Sequence, residues 1–246
     1  MSETPLHRLS EKGLVFEHDN LADESVINIY CNGVKTISLL ASAQDLSDLG
    51  RGHMACEGYG DVDYIHCDNN TIYIEGKLTV EPRNHLLTAA CGACGDKQIE
   101  NPFTRAVNDL LRIDITPSDF CNNMQKQQKM FAETGGTHCA ALCSPSGEII
   151  LLREDVGRHN AVDKVIGAAL DAGIEPKEHV LVLSGRAGWE LLAKAARMEI
   201  EVVISVGAMS GAASTLAREH NITLIAFARG DNAAIVGPIH RLGGKD

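Results

Sequence analysis

From residue 180 onward, short apolar strands alternate with amphipathic helices, and no other feature limits the fold as tightly. Strands are expected at residues 180–183, 202–206 and 222–227, with helices at 189–198 and 212–220 between them. Parallel strands need crossover connections, and strands apolar on both sides must be covered on both faces. Just upstream, Val162, Val165, Ile166, Ala169 and Leu170 recur at i, i+3, i+4, i+7 and i+8, the pattern of one helix face. The chain is therefore expected to be α/β, with a parallel or mixed sheet between helical layers.

The preceding residues supply further elements. Thr116-Pro117-Ser118-Asp119 reads as a helix start, with proline at the first helical position and an acidic residue at the third. Phe120, Met124 and Phe131 then predict a single helix to about residue 133. A hairpin follows over 138–144 and 148–153, turning at Pro145-Ser146-Gly147. The N-terminal part is β-rich. Residues 26–31 and 34–39 flank Asn32-Gly33, a strong two-residue hairpin signal. A short helix is expected at 43–54, ending near Gly58, and a second hairpin at 63–67 and 71–75. These patterns divide the chain into an α+β subdomain, 1–112, and an α/β subdomain, 113–246, joined near residues 111–116. No internal repeat or low-complexity segment is visible.

The formal net charge of -11 argues against nucleic-acid and membrane-surface binding, which need a basic footprint. Residues 1–14 contain no apolar signal core. No segment approaches the ~20 apolar residues of a membrane span. Eight cysteines without a secretory signal read as reduced thiols, so a cytoplasmic protein is expected.

Periodicity stops over residues 83–102, where Cys91-Gly92-Ala93-Cys94-Gly95 places two thiols three residues apart among small residues. Such a pair serves metal binding, disulfide exchange or sulfur carriage. Zinc needs four converging ligands. Cys139 and Cys143, the best second pair, would stand ~13 Å apart on a strand at ~3.3 Å per residue. The zinc deaminase pattern of His-x-Glu and Pro-Cys-x-x-Cys is also missing, and no zinc is expected. Thioredoxin-like sites start a helix at the first cysteine. Here Gly95, Asp96 and Pro102 follow instead, so a carrier loop fits better. Cys31, Cys56, Cys67 and Cys121 fall inside strand or helix patterns and read as small buried hydrophobes.

Three further stretches stand at the ends of expected strands. Glu154-Asp-Val-Gly-Arg158-His-Asn-Ala-Val-Asp-Lys164 crowds acidic, basic and imidazole groups around one glycine. Ser184-Gly-Arg186-Ala-Gly and Phe227-Ala-Arg229-Gly-Asp-Asn each combine small residues with one arginine. Strand C-terminal ends are where open α/β sheets bind ligands. Arg158, Arg186 and Arg229 together predict a phosphate pocket. Thr134-Gly-Gly-Thr-His138 is either a helix C-cap or a backbone nest facing a ligand, and His138 is open to a structural or a functional role.

Taken in order, these motifs and Ile222-Thr-Leu resemble the formate dehydrogenase accessory sulfurtransferases, the FdhD family, over nearly the whole chain. The resemblance implies a cytidine-deaminase-like three-layer α/β/α core without zinc, a smaller β-rich N-terminal subdomain, and a homodimer. It implies that Cys91 receives sulfur as a persulfide from a cysteine desulfurase, with Cys94 as its partner. The sulfur would pass to the molybdenum bis(molybdopterin guanine dinucleotide) cofactor before that cofactor enters formate dehydrogenase. It aligns Phe227, Ala228, Arg229, Gly230, Asp231 and Asn232 with the segment that holds the guanine dinucleotide, for which GDP is an analogue. Two other readings use the same residues: a thiol-disulfide oxidoreductase, and a cofactor-binding chaperone without catalysis. Two segments depart from the family pattern: Leu39-Leu-Ala-Ser-Ala-Gln44 replaces an Arg-Thr-Pro-like motif, and Ala233-Ala-Ile-Val236 replaces Asn-x-Tyr.

Overall fold

The computed structural model describes residues 2–78, 86–87 and 111–243. Cys91 and Cys94 lie outside them. The chain opens with a two-stranded hairpin, β1 (Ser2–Ser10) and β2 (Gly13–Leu21). Next come β3 (Ser25–Cys31), β4 (Val34–Ala41), α1 (Leu46–Glu57), β5 (Gly60–Asp68), β6 (Thr71–Leu78) and the short β7 (Leu86–Leu87). These five strands form one sheet in the order β5-β6-β3-β4-β7. Asn32 and Gly33 both take positive φ, as the β3–β4 turn requires. Ile27, Ile29, Ile37, Leu39, Ile72 and Ile74 alternate onto one face of the sheet and pack on Leu46, Leu49 and Met54 of α1.

The remaining elements are α2 (Pro117–Gln125), α3 (Lys129–Thr134), β8 (His138–Cys143), β9 (Ile149–Asp155) and α4 (Arg158–Asp171). They are followed by β10 (Val180–Leu183), α5 (Trp189–Arg197), β11 (Val202–Ser205), α6 (Gly211–Glu219), β12 (Thr223–Ala226) and β13 (Ala234–Val236). Their sheet runs β13-β12-β11-β10-β8-β9. Strands β10, β11 and β12 are parallel, whereas β8 is antiparallel to both β9 and β10.

Period-two burial on this sheet makes the three layers. Ala140, Leu142, Leu181, Leu183, Val203 and Leu224 face α4, α5 and α6. Cys139, Ala141, Cys143, Val180, Val182, Val202 and Ile204 face Phe120, Cys121 and Met124 of α2. The expected α/β class with helices on both faces is what the chain forms.

Helix α1 lies directly on α4, and two glycines set the approach. A Cβ on Gly52 would stand 1.7 Å from the Asp163 carbonyl oxygen, and one on Gly167 would stand 1.9 Å from that of Asp48. Charged groups fill the same contact. Lys194 Nζ meets Asp163 Oδ1 at 2.6 Å and Glu57 Oε1 at 2.8 Å, and His53 Nδ1 lies 3.1 Å from Asp163 Oδ2.

Three expectations need correction. The single helix to residue 133 is two helices, with the chain turning at 126–128 between α2 and α3. Phe131 is 41% exposed and does not continue the buried stripe of Phe120 and Met124. The β1–β2 hairpin was not expected, because its strands mix polar and apolar residues without a buried face. Strand β13 also escapes the sequence patterns: it is three residues long and pairs antiparallel at the sheet edge.

Candidate functional site

Topology gathers the motif residues at one sheet edge. Strands β9, β10, β11 and β12 all end there, and the antiparallel β8 begins there with His138. Helices α4, α5 and α6 therefore start at the same edge and direct their N-terminal N–H groups toward it.

The loops beyond these strand ends are tied to one another. Val206 N donates to the Leu183 carbonyl, Gly207 N to that of Gly185, and Phe227 N to that of Gly207, each at 2.9–3.0 Å. Ser205 Oγ donates to the Gly185 carbonyl at 2.7 Å, and the Cys139 amide donates to Ser184 Oγ at 2.8 Å. Phe227 takes φ +53° and remains 52% exposed, while Ala228 is wholly buried. Gly185 lets the His138 ring lie close: a Cβ there would stand 3.2 Å from Nδ1.

Against this edge lies a cavity of about 300 Å³. Cys121, Met124, Gln125, Gln128, Phe131, Gly135, Gly136 and Thr137 line one side, and His138, Ser184, Val206 and Arg229 complete it. The volume is at the low end of ligand sites, ~300–1,000 Å³, room for one nucleotide moiety rather than a whole dinucleotide. Within Thr134-Gly-Gly-Thr-His138, Gly135 takes φ +64° as the C-cap of α3, and it also lines the cavity with Gly136.

Of the expected binding residues, His138 and Arg229 line the cavity. Phe227, Ala228, Gly230, Asp231, Asn232, Arg158 and Arg186 are not among the lining residues, although all sit at the same sheet edge. Arg158 comes close to His138, since both flank Gly185. Among the described residues, Arg158 and Arg186 form no ion pair, and Arg229 makes only a 3.4 Å bond from Nη2 to Gln125 Oε1. By contrast, Arg8, Arg51, Arg153 and Arg241 are each held by carboxylates.

Burial lowers the pKa of His138, and the nearby Arg158 and His159 lower it further. The imidazole is thereby favoured in its neutral form, able to donate from one nitrogen and accept at the other. Burial pushes the Cys121 thiol up to about 11 and the Cys143 thiol to about 12, and raises Cys139 further still. These three are packing groups, not nucleophiles. Cys139 and Cys143 share one face of β8, and no metal-ligand cluster occurs among the described residues.

Most of Glu154-Asp-Val-Gly-Arg-His-Asn-Ala-Val-Asp-Lys164 is structural, which corrects its reading as a ligand-facing cluster. Asp155 and Lys164 are fully buried and pair at 2.7 Å. Asp155 also accepts from the amides of Ser42 and Gly157 and from Asn160 Nδ2. Asn160 donates to the Leu40 carbonyl and Lys164 to that of Ser42. The motif's partner is thus residues 40–42.

Sequence reasoning missed the α2–α3 wall. Cys121 and Met124 were expected in the core and are buried there, yet both also border the cavity. Gln125 and Gln128 carried only a weak signal, two amides on an otherwise amphipathic stretch.

Comparison with known proteins gives the chain's family and fold. Residues 22–242 match the model of the FdhD/NarQ family. A sulfur carrier protein FdhD of Streptomyces avermitilis is 32% identical over 96% of this chain and 93% of its own. The protein of the same description from Picrophilus torridus is 34% identical over 87% of this chain and 88% of its own. The crystal structure of a putative formate dehydrogenase accessory protein from Desulfotalea psychrophila superposes with a TM-score of 0.78 over 98% of both chains, at 20% identity.

Proposed function

Because the chain belongs to the FdhD/NarQ family, we propose that it carries sulfur for the maturation of a formate dehydrogenase. Cys91 is the carrier. Its thiolate attacks the outer sulfur of a cysteine desulfurase persulfide; that S–S bond breaks, the desulfurase leaves as a thiolate, and a new S–S bond forms on Cys91. The outer sulfur then passes to the molybdenum bis(molybdopterin guanine dinucleotide) cofactor, the cargo: the S–S bond on Cys91 breaks, Cys91 leaves as a thiolate, the reduced cofactor supplies the electron pair for the new bond, and Cys94 assists. The protein acts as a cytoplasmic homodimer.

The observation that carries the nucleotide half of this reading is the sheet edge itself. In a chain of net charge -11, three arginines with no carboxylate partner among the described residues stand beside one cavity and three helix N-termini. Guanidinium groups bind phosphate oxygens through paired donors. A guanine nucleotide end fits the volume, and the neutral His138 and the amides of Gln125 and Gln128 offer donors and acceptors to a base.

Intact-mass analysis after mixing with a cysteine desulfurase and cysteine tests the carrier. A gain of one sulfur on the peptide containing Cys91 is expected, and its absence in Cys91→Ala. A Cys91–Cys94 disulfide instead would identify an oxidoreductase, and no change in mass would leave a cofactor-binding chaperone.

A further inference from the structure

The wall of the cavity opposite the sheet depends on a residue that does not line it. Helix α3 has six residues, and its N-cap, Gln128, makes no side-chain capping bond. The exposed donors at its start are closed by a carboxylate from another element: Glu154 on β9. Glu154 Oε2 accepts from Met130 N at 2.8 Å, and Oε1 accepts from Phe131 N at 2.8 Å and from Thr137 Oγ1 at 3.1 Å. One buried carboxylate therefore holds both ends of the segment that supplies Gln128, Phe131, Gly135, Gly136 and Thr137 to the cavity.

We propose that Glu154 is a positioning residue for the ligand: through α3 and Thr137 it fixes the spacing between the helical wall and the sheet edge. All three of its partners donate, so only an acceptor at both oxygens satisfies them. Glutamine keeps the shape but turns an N–H₂ toward a donor, leaving at least one buried group unpaired. Among the described residues no other group accepts from the Met130 and Phe131 amides, so the start of α3 depends on this carboxylate.

The proposal rests on the nucleotide reading only for its choice of probe. The test uses the full chain with Glu154→Gln, Thr137→Val and the double variant, with GDP binding by titration calorimetry and hydrogen exchange of the Met130 and Phe131 amides. Each single change should weaken GDP about tenfold, the share of one charged hydrogen bond. The double variant should be no weaker than Glu154→Gln alone, because one network is lost in both. Exchange at Met130 and Phe131 should quicken in Glu154→Gln while β10 and β11 stay protected. Unchanged exchange would overturn the proposal. Faster exchange with wild-type GDP affinity would also overturn it, reducing Glu154 to a stabilising group. Failure of the unmodified protein to bind GDP would sink the nucleotide reading instead, and exchange would still decide whether Glu154 holds the wall. If Glu154→Gln does not fold, Glu154→Asp, which keeps both acceptor oxygens but shortens their reach, takes its place in both measurements, with the same outcomes expected and the same outcomes overturning the proposal.

Discussion

At the residue scale, Arg158, Arg186 and Arg229 form no ion pair among the described residues, whereas Arg8, Arg51, Arg153 and Arg241 do. A guanidinium already held by an acid gains little from an anionic ligand, whereas Arg186 and Arg229 have no such partner among the described residues. Losing one charged hydrogen-bonded contact costs about 1.5–3 kcal/mol, roughly ten- to a hundredfold in affinity. Arg186→Ala and Arg229→Ala are therefore expected to weaken GDP by that factor, and added salt should weaken binding to the parent protein. Titration calorimetry measures both, and affinities equal to the parent's would move the phosphate site elsewhere. Arg229 should show the larger loss, since it alone of the two lines the cavity.

At the scale of elements, the α1–α4 crossing joins the two sheets, and it tolerates no side chain at its closest points. Gly52→Ala would drive a methyl into the Asp163 carbonyl, and Gly167→Ala would do the same at Asp48. Overpacking of this kind costs about 1–3 kcal/mol or more. Both variants should lower the thermal midpoint, whereas Gly211→Ala, whose Cβ would meet nothing within 4 Å, should not. Equal midpoints for all three would mean that the helices separate freely. The crossing also shows how the elements were legible. The β3–β4 and β8–β9 hairpins, α4, and the alternation from β10 to β12 follow from local periodicity and turn residues, so the sequence predicts them. The break between α2 and α3 does not follow from local pattern. There Glu154, 24 residues beyond Met130, accepts from the Met130 and Phe131 amides, a partner that no local pattern records.

At the scale of the whole molecule, the buried charges between α1, α4 and α5 make stability depend on pH. Burial alone would raise the Asp163 carboxyl, but Lys194 and His53 outweigh it and hold the group down at about 2. A carboxylate whose pKa is depressed by folding stabilises the protein above its unfolded value, near 3.8, and that contribution disappears as pH falls through the folded value. About 2 kcal/mol should be lost between roughly pH 4 and pH 2. Urea denaturation across that window should show the slope, and Asp163→Asn should flatten it. An unchanged slope in that variant would assign the acid sensitivity to other carboxylates. On the partner side, Asp163 and Glu57 raise Lys194 against its burial, so it stays charged throughout that range.

The sequence by itself determined the α/β class, the order of most strands and helices, the family, and the placing of Arg158, Arg186 and Arg229 at strand ends. All of these depend on period, turn chemistry or motifs read within a few residues. Only the tertiary structure decided which charged residues are structural. Asp155, Asn160 and Lys164 looked like ligand groups beside Arg158, yet they are consumed by the backbone of residues 40–42, more than a hundred positions away. It also decided that Gln125, Gln128 and Phe131 face a cavity. The physical reason is the same in each case. A polar side chain takes whichever partner the packed chain brings within hydrogen-bonding distance, and sequence spacing records only the partners that are neighbours along the chain.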